Sequence, residues 1–198
     1  MARLFAGDTI GPSAEYQDVL RKEHDGSKWG STGGRYSGAD VVQLLTERPY
    51  IQTVLDFGAG KGNLESFVRE RVQREIEWTN YDPGIPAYDE IPTGQFDLVT
   101  NTDVMEHIEP ERLGDTLKLV ASLVGKVLYS DIACDPTGKN FWEGPYKGQD
   151  LHLIQQLPSE WRKAYKEHLG LYELVYEHRE KRSKKGTKTR CMMIHERV

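Results

Sequence analysis

The sequence predicts an α/β fold in which a mostly parallel sheet carries helices on both of its faces. A short apolar run, Ile51 to Phe57, has the pattern of a buried strand, and three glycines within five residues follow it directly. A helical pattern begins at Asn63, with Leu64 and Val68 among its apolar positions. Later apolar runs alternate with further helical patterns, and this alternation is typical of a parallel sheet.

The same patterns place the individual elements in order. Helices are predicted at Ser13 to His24, Ala39 to Glu47, Asn63 to about Glu75, Pro110 to Val124 and Ser159 to about Leu169. Strands are predicted at Ile51 to Phe57, Glu77 to Tyr81, Phe96 to Asn101, Lys126 to Ile132, Leu171 to His178 and Thr189 to Glu196. The last two strands would form an antiparallel hairpin with its turn from Lys181 to Lys188. Proline and glycine are frequent from Gly84 to Gln95, so any strand there is short or missing.

Length and composition indicate one soluble, cytoplasmic domain spanning residues 1–198. The chain has 198 residues, 29% of them charged, and no apolar run of membrane-spanning length. Its first residues lack the apolar segment of a secretory signal, and Cys134 and Cys191 match neither a metal spacing nor a disulfide framework. We therefore expect no membrane partner.

Charge is distributed unevenly along the chain. The net charge is −5, which argues against general affinity for nucleic acid. Six of the 26 basic residues nevertheless fall between Lys181 and Arg190, which leaves 20 basic against 31 acidic groups elsewhere. A basic hairpin tip could contact phosphates, but a solvated tip whose charge blocks pairing of the sheet edge is the interpretation that we favour.

The glycine-rich turn after the first strand indicates a nucleoside ligand with a positive group. Gly58 and Gly60 permit a tight turn and close approach of a ligand, and Asp56 ends the strand before them. The dinucleotide fingerprint is not matched, because Asn63 stands where its third glycine would be. Asp82, about 26 residues after Asp56, is suited to bind two vicinal ribose hydroxyls because a carboxylate has two acceptor oxygens.

Four stretches together resemble the class I S-adenosylmethionine (SAM) dependent methyltransferases. They are Leu55 to Gly62 (motif I), Tyr81-Asp82-Pro83, Phe96 to Val99 followed by Asp103 to Ile108, and Lys126 to Ile132. The resemblance implies a Rossmann-like sheet of seven strands, a SAM cofactor and methyl transfer. It also implies an N-terminal lid segment, residues 1–38, folded over the cofactor of a core at residues 39–198. The glycine-rich stretch from Gly26 to Gly38 is either part of this lid or a flexible linker, and Trp29 favours the lid because a linker has little use for a large aromatic ring.

The expected cofactor-binding residues follow from the glycine turn and from this resemblance. They are Asp56, Gly58, Ala59, Gly60, Asp82, Pro83, Asn101, Thr102 and Asp103, with Trp29 and Gly30 as a cap from the lid.

Three side chains are candidates for work on the methyl acceptor. A sulfonium is already an activated methyl donor, so a general base is needed only for an acceptor that holds its proton at neutral pH. His107 and His152 titrate in the right range, and Asp103 is a third candidate. The loop from Ala133 to Gln149 carries three aromatic residues and is either a substrate wall or a structural flap.

A metal site is a second interpretation of the same residues. In a helix, Asp103, Glu106 and His107 would share one face, and His152 could join them around Mg²⁺ or Mn²⁺. This pattern resembles the small-RNA 2′-O-methyltransferases, and the Glu-His pair also occurs in quinone-pathway O-methyltransferases. The alternative is a structural helix start without metal, and it is the one that we favour.

The sequence thus predicts an enzyme that methylates an O or N atom of a small molecule: a metabolite, a sugar or a nucleotide. One alternative is a metal-assisted methyltransferase that acts on RNA or DNA ends. A non-catalytic SAM-binding protein is the other.

Overall fold

The fold is a single six-stranded sheet with helices on both faces. The computed structural model describes residues 11–26, 29–31, 37–183 and 186–197. The helices are α1 (Ala14–Gly26), α2 (Gly38–Glu47), α3 (Asn63–Arg69), α4 (Leu113–Leu123) and α5 (Pro158–His168), with 3₁₀ turns at Met105–His107 and Pro110–Arg112. The strands are β1 (Thr53–Phe57), β2 (Glu77–Tyr81), β3 (Phe96–Thr102), β4 (Val124–Ala133), β5 (Tyr172–Ser183) and β6 (Gly186–Glu196).

The strand order is β2-β1-β3-β4-β6-β5. The first four strands run parallel, and β6 pairs antiparallel with both β4 and β5. The predicted Rossmann-like sheet with a C-terminal antiparallel hairpin is therefore confirmed. Because β1, β2, β3 and β4 are parallel, their carboxyl ends meet at one edge, where open α/β sheets bind ligands.

Two apolar clusters bury the two faces of the sheet. On one face, α4 and α5 cover the sheet, with Leu117 and Trp161 fully buried. On the other face, α2 and α3 contribute Leu45 and Leu64. Burial on both faces explains why the central strands are almost continuously apolar, as in Val54-Leu55 of β1.

The expectation of seven strands is wrong for the described residues, which contain six. No strand lies between β2 and β3, where the chain instead forms consecutive turns closed by hydrogen bonds from Ile85 N–H to Asp82 O and from Tyr88 N–H to Ile85 O. Pro83, Pro86 and Pro92 fall in this segment, and each removes a backbone donor that a central strand would need. The proline and glycine content had indicated this gap.

Several element boundaries also differ from the predicted ones. The C-terminal hairpin is longer, because Lys181 pairs with Lys188 inside the ladder instead of lying in the turn. Residues 184 and 185 lie outside the described residues. The helix α3 ends at Arg69, well before Glu75. The helix α5 begins at Pro158 rather than after Ser159, with the Glu160 carboxylate accepting the Leu157 N–H at 2.8 Å.

The helix α1 lies across the ligand-binding edge of the sheet. Ser13 is its N-cap as predicted, since its Oγ accepts the Tyr16 N–H at 3.2 Å. The Tyr16 hydroxyl donates to His107 O at 2.6 Å, and Gln17 Nε2 donates to Pro83 O at 3.0 Å. These two bonds tie α1 to the segments that follow β3 and β2. None of the helices among residues 11–26, 29–31, 37–183 and 186–197 is long and apolar enough to cross a membrane.

Candidate active site

A cavity of about 900 Å³ opens at the carboxyl ends of β1 to β4, beneath α1. Eleven of the predicted site residues line it: Trp29, Gly30, Asp56, Gly58, Ala59, Asp82, Pro83, Thr102, Asp103, His107 and His152. Gly60 and Asn101 do not line the cavity. Asn101 is buried, and its Oδ1 accepts the hydroxyl of Tyr165 at 3.1 Å, so it faces the protein interior.

The turn after β1 has a backbone shape that requires glycine. Gly58 has a φ of 83°, and a methyl group there would lie 2.3 Å from Cγ2 of Val104. The N–H groups of Gly58 and Ala59 both donate to Tyr81 O, at 2.7 and 2.9 Å. These bonds join the turn after β1 to the end of β2.

The lid segment touches the glycine turn at Gly60. Its described residues are 11–26, 29–31 and 37–38, and the remainder of 1–38 lies outside them. Lys61 N–H donates to Gly30 O at 2.9 Å. A methyl group at Gly60, where φ is 53°, would lie 2.5 Å from both Cα and O of Gly30. Gly60 therefore lies outside the cavity wall, where its lack of a side chain allows the backbone at Gly30 to pack against the glycine turn.

Asp82 lies at the end of β2, and each of its two carboxylate oxygens accepts a hydrogen bond from a backbone N–H. Its Oδ2 accepts the Gly60 N–H and its Oδ1 accepts the Gly84 N–H, both at 2.8 Å. His24 Nε2 lies 3.4 Å from the same Oδ1. The carboxylate is thus immobilised before any ligand arrives, with acceptor capacity left on its oxygens.

Asp56 is a buried carboxyl group without an ion pair among the described residues. The Thr100 hydroxyl donates to Asp56 Oδ1 at 2.8 Å. Burial raises the pKa of Asp56 to about 7, although the hydrogen bond from Thr100 acts in the opposite direction. A cationic group arriving beside Asp56 would favour its ionised form.

Asp103 is oriented by an arginine and not by a helix. It has a φ of 55°, the only positive φ of a non-glycine residue within the described ranges. Arg190 Nη1 lies 2.7 Å from Asp103 Oδ1, and Arg190 Nε donates to Asp131 Oδ1 at the same distance. The predicted helical face is wrong, because a 3₁₀ turn begins only at Met105 and Asp103 precedes it in a left-handed conformation.

The two predicted histidines meet at the other end of the cavity. Their ring centroids are 4.8 Å apart, with the rings nearly perpendicular. His107 Nδ1 contacts Leu151 O at 2.7 Å, and His152 Nδ1 contacts Asp135 O at 2.5 Å. A carbonyl only accepts, so each Nδ1 carries the proton and each Nε2 of a neutral ring keeps a lone pair.

Burial lowers the pKa of both imidazoles. For His107 the hydrogen bond to the Leu151 carbonyl and the charges of Asp103 and Asp150 oppose this shift, and His24 adds to it. For His152 the neighbouring His107 lowers the pKa further, whereas the charge of Glu106 acts to raise it. Both rings are therefore neutral at pH 7.

Glu106 lies beside the histidine pair and is fully buried. Its Oε1 accepts the Ala133 N–H at 2.9 Å, and its Oε2 has no hydrogen-bond partner among the described residues. Burial raises the pKa of Glu106, with the charge of Asp103 acting in the same direction. One ligand atom each from Glu106, His107 and His152 lie within 4.8 Å of one another. Asp103, the fourth predicted ligand, does not belong to this group.

The aromatic loop after β4 divides its side chains between two roles. Phe141 is buried and packs edge-on against Tyr16 of α1, with ring centroids 5.9 Å apart. The Tyr146 ring also packs against Tyr16, at 5.3 Å. Trp142 remains 63% exposed and lines the cavity. The loop therefore fixes α1 through two aromatic residues and contributes the third to the cavity wall.

Comparison with known proteins identifies the class. A family profile described as a methyltransferase domain matches residues 31–174, so the chain belongs to that family. The fold, the glycine turn and the match together show that the protein is a SAM-dependent methyltransferase of class I. A search of curated proteins gives no match.

Solved structures share the fold at low sequence identity. The 1,6-didemethyltoxoflavin-N1-methyltransferase of Burkholderia thailandensis, solved with 1,6-didemethyltoxoflavin and S-adenosylhomocysteine (SAH), aligns at 14% identity and a TM-score of 0.63, over 98% of this chain and 93% of that one. The magnesium protoporphyrin IX methyltransferase of Synechocystis, solved with SAH, aligns at 16% identity and a TM-score of 0.55, over 94% and 95%. A SAM-dependent methyltransferase of Archaeoglobus fulgidus aligns at 18% identity and a TM-score of 0.52, over 84% and 97%.

Three residues that contact cavity-lining carboxylates were not predicted from the sequence. His24 contacts Asp82, Thr100 holds Asp56, and Arg190 holds Asp103. Each acts through a contact between segments at least 44 residues apart, which leaves no local spacing signal. Arg190 was noted only as part of the basic hairpin.

Replacing Gly60 should damage the cavity through its contact with Gly30. In Gly60→Ala the new methyl group would displace Gly30, so we expect the affinity for SAH to fall by about tenfold or more, with a lower melting temperature. Calorimetry and thermal unfolding measure these effects.

Gly94→Ala is the matched control. Gly94 also has a positive φ, 88°, but nothing lies within 4 Å of the added methyl group. It should lose only about 1–2 kcal/mol of stability from backbone strain and keep its SAH affinity. Equal affinities for SAH in the two variants would contradict the role given to Gly60.

Proposed function

We propose that this protein, acting as one domain over residues 1–198, transfers the methyl group of SAM to an O or N atom of a small molecule. The observation that carries the proposal is a single cavity lined at one end by the glycine turn and Asp82, and at the other by His107 and His152. Methyl transfer needs a donor site and an acceptor site in one water-poor space.

The donor end matches the parts of SAM. Gly58 and Ala59 bring bare backbone to the cavity, and the fixed carboxylate of Asp82 is suited to accept a ribose hydroxyl. Asp56 is a buried carboxyl group with a raised pKa, and the ammonium group of SAM is the kind of partner that would ionise it. Trp29 and Gly30 would cover the cofactor, with Pro83, Thr102 and Asp103 in the remaining wall.

The acceptor end supports proton removal. His107 and His152 are neutral at pH 7, and the Nε2 of each is left to accept a proton from an acceptor hydroxyl or amine. Trp29 packs against His107 with centroids 4.7 Å apart, which brings the lid to the acceptor end as well. Asp103 is a weaker candidate for the base, because Arg190 already engages it.

A small acceptor is supported by the cavity and by one structural relative. A space of about 900 Å³ shared with SAM leaves room for a ligand of ordinary metabolite size. The Burkholderia relative is an N1-methyltransferase solved with a small heterocycle bound.

Incubation with methyl-labelled SAM and separated pools of cell metabolites or RNA tests the proposal. We expect label in a small-molecule fraction. The rate should fall only when the pH drops below about 6.5, because burial lowers the pKa of His107 below this ordinary value and the ring loses its function as a base once it is protonated. Above that pH the rate should be constant as far as His107 is concerned.

His107→Ala should lower the rate by about 10²- to 10⁴-fold and remove the loss of activity at low pH, while SAH affinity is retained. Exposed Leu174→Ala is the control and should behave as wild type. Label found in no fraction would refute the assignment of a small-molecule substrate. An unchanged rate for His107→Ala would refute the assignment of His107 as the base.

A second candidate is metal-assisted transfer, with an RNA or DNA end as the acceptor. The donor set fits a divalent ion: Glu106 Oε2 is buried without a partner among the described residues, and carbonyl groups hold both imidazoles by Nδ1, as in many metal sites. Glu106, His107 and His152 would hold Mn²⁺ better than Mg²⁺, because imidazole is a poor ligand for Mg²⁺. A bound ion would polarise an acceptor oxygen.

Thermal unfolding with Mn²⁺ or EDTA decides between the two candidates. Metal assistance requires a rise in melting temperature with Mn²⁺ that is absent in His152→Ala, together with loss of activity in EDTA. The proposed metal-free reaction predicts no change in either quantity. Label transfer to RNA that declines steeply with salt would likewise favour the second candidate.

A further inference from the structure

The last turn of α1 places a histidine against the carboxylate that is proposed to bind the ribose. His24 is only 5% exposed and lines the cavity. Its Nε2 lies 3.4 Å from Asp82 Oδ1, so the proton of a neutral ring is best placed on Nε2, facing the carboxylate. Its Nδ1 then carries a lone pair. This nitrogen is buried and has no hydrogen-bond partner among the described residues.

Glycines on two sides make room for this ring. A methyl group at Gly84 would lie 2.5 Å from His24 Cδ2, and one at Gly30 would lie 2.7 Å from Cε1 and 2.9 Å from Nδ1. The same methyl group at Gly30 would lie 2.9 Å from the Cα of Gly60. The edge of the ring that carries Nδ1 therefore points to the place where the lid meets the glycine turn.

The position of His24 is fixed by the helix that carries it. Gln17 donates to Pro83 O at 3.0 Å, and Arg21 Nη2 donates to Asp89 Oδ2 at the same distance. Both acceptors lie just beyond β2. The ring of Trp29 packs edge-on against His24 at 6.3 Å. A buried acceptor that is held this firmly and left without a donor destabilises the protein unless a ligand supplies the hydrogen bond.

The number of lone pairs left on the Asp82 carboxylate indicates which ligand group would bind to His24 Nδ1. Each Asp82 oxygen has two lone pairs. On Oδ1 they face Gly84 N–H and His24, and on Oδ2 one accepts Gly60 N–H. One lone pair on Oδ2 is left, whereas a ribose diol brings two O–H donors. The second hydroxyl needs another acceptor. His24 Nδ1 is buried without a hydrogen-bond partner among the described residues, and it belongs to a ring that contacts Asp82.

We propose that His24 is a further cofactor-binding residue, which accepts a hydrogen bond from one ribose hydroxyl while Asp82 accepts the other. This inference rests on the proposed binding of SAM. It makes α1 a part of the nucleoside site, so that the lid recognises the ribose as well as covering it.

Calorimetry with SAH and with its 2′-deoxy and 3′-deoxy analogues tests the assignment. His24→Ala should bind SAH about tenfold or more weakly than wild type, which corresponds to the loss of one buried hydrogen bond. The variant should show no loss relative to wild type for the analogue that lacks the hydroxyl bound by His24. His24→Gln reaches Asp82 but leaves no acceptor near Nδ1, so it should behave like His24→Ala.

His24→Asn restores a carbonyl oxygen near the Nδ1 position and should recover most of the affinity. Glu15→Ala, an exposed site on the same helix, is the control and should bind as wild type. Equal losses for SAH and both analogues would show that His24 only supports the lid, and unchanged affinity would show no contact; either result overturns the proposal. Wild-type protein that fails to bind SAH would instead refute the proposed cofactor.

Discussion

The hydrogen bond from Gly60 N–H to Asp82 is the contact on which the site depends. It joins the turn after β1 to the end of β2, and the carbonyl of Tyr81 strengthens the same junction by accepting from Gly58 and Ala59. The parallel register of β1 and β2 brings these groups side by side. A carboxylate fixed in this way by backbone donors needs no reorganisation when a ligand arrives, which is the preorganisation that binding sites use.

The N-terminal segment that carries α1 is joined to the rest of the fold by polar and aromatic contacts on several sides. Ser13 donates twice to the buried Glu109, each time at 2.7 Å, and the aromatic loop after β4 packs against Tyr16. The loop therefore acts on the site from a distance, through the helix that it supports. The hydroxyl of Tyr16, whose pKa is raised mainly by burial, donates to the carbonyl of His107. One helix thus contacts both the end of the cavity at Asp82 and Pro83 and the end at His107.

The sequence predicted the positions of all six strands, although the family resemblance implied a seventh, and it located most of the cavity lining. Glycine spacing and strand ends are local features, so Asp56, Gly58 and Asp82 could be found from the sequence. Asn101 was misplaced because a residue at a strand end faces either the ligand or the interior, and the Tyr165 hydroxyl that holds it is 64 residues away. Asp103 lines the cavity as predicted, but its predicted place on a helical face was wrong. No sequence signal distinguished a 3₁₀ turn from an α-helix at this point, or showed that Arg190 would bind Asp103.

Asp82 is central to the proposed cofactor site, and isothermal calorimetry with SAH and the Asp82→Asn variant tests its role directly. Wild-type protein should bind one SAH per chain with saturable heat. The amide of asparagine would place a donor against one of the two N–H groups that Asp82 now accepts, so the variant should bind SAH at least about tenfold more weakly. An absence of heat from wild-type protein with both SAM and SAH, or equal affinity in the variant, would contradict the account.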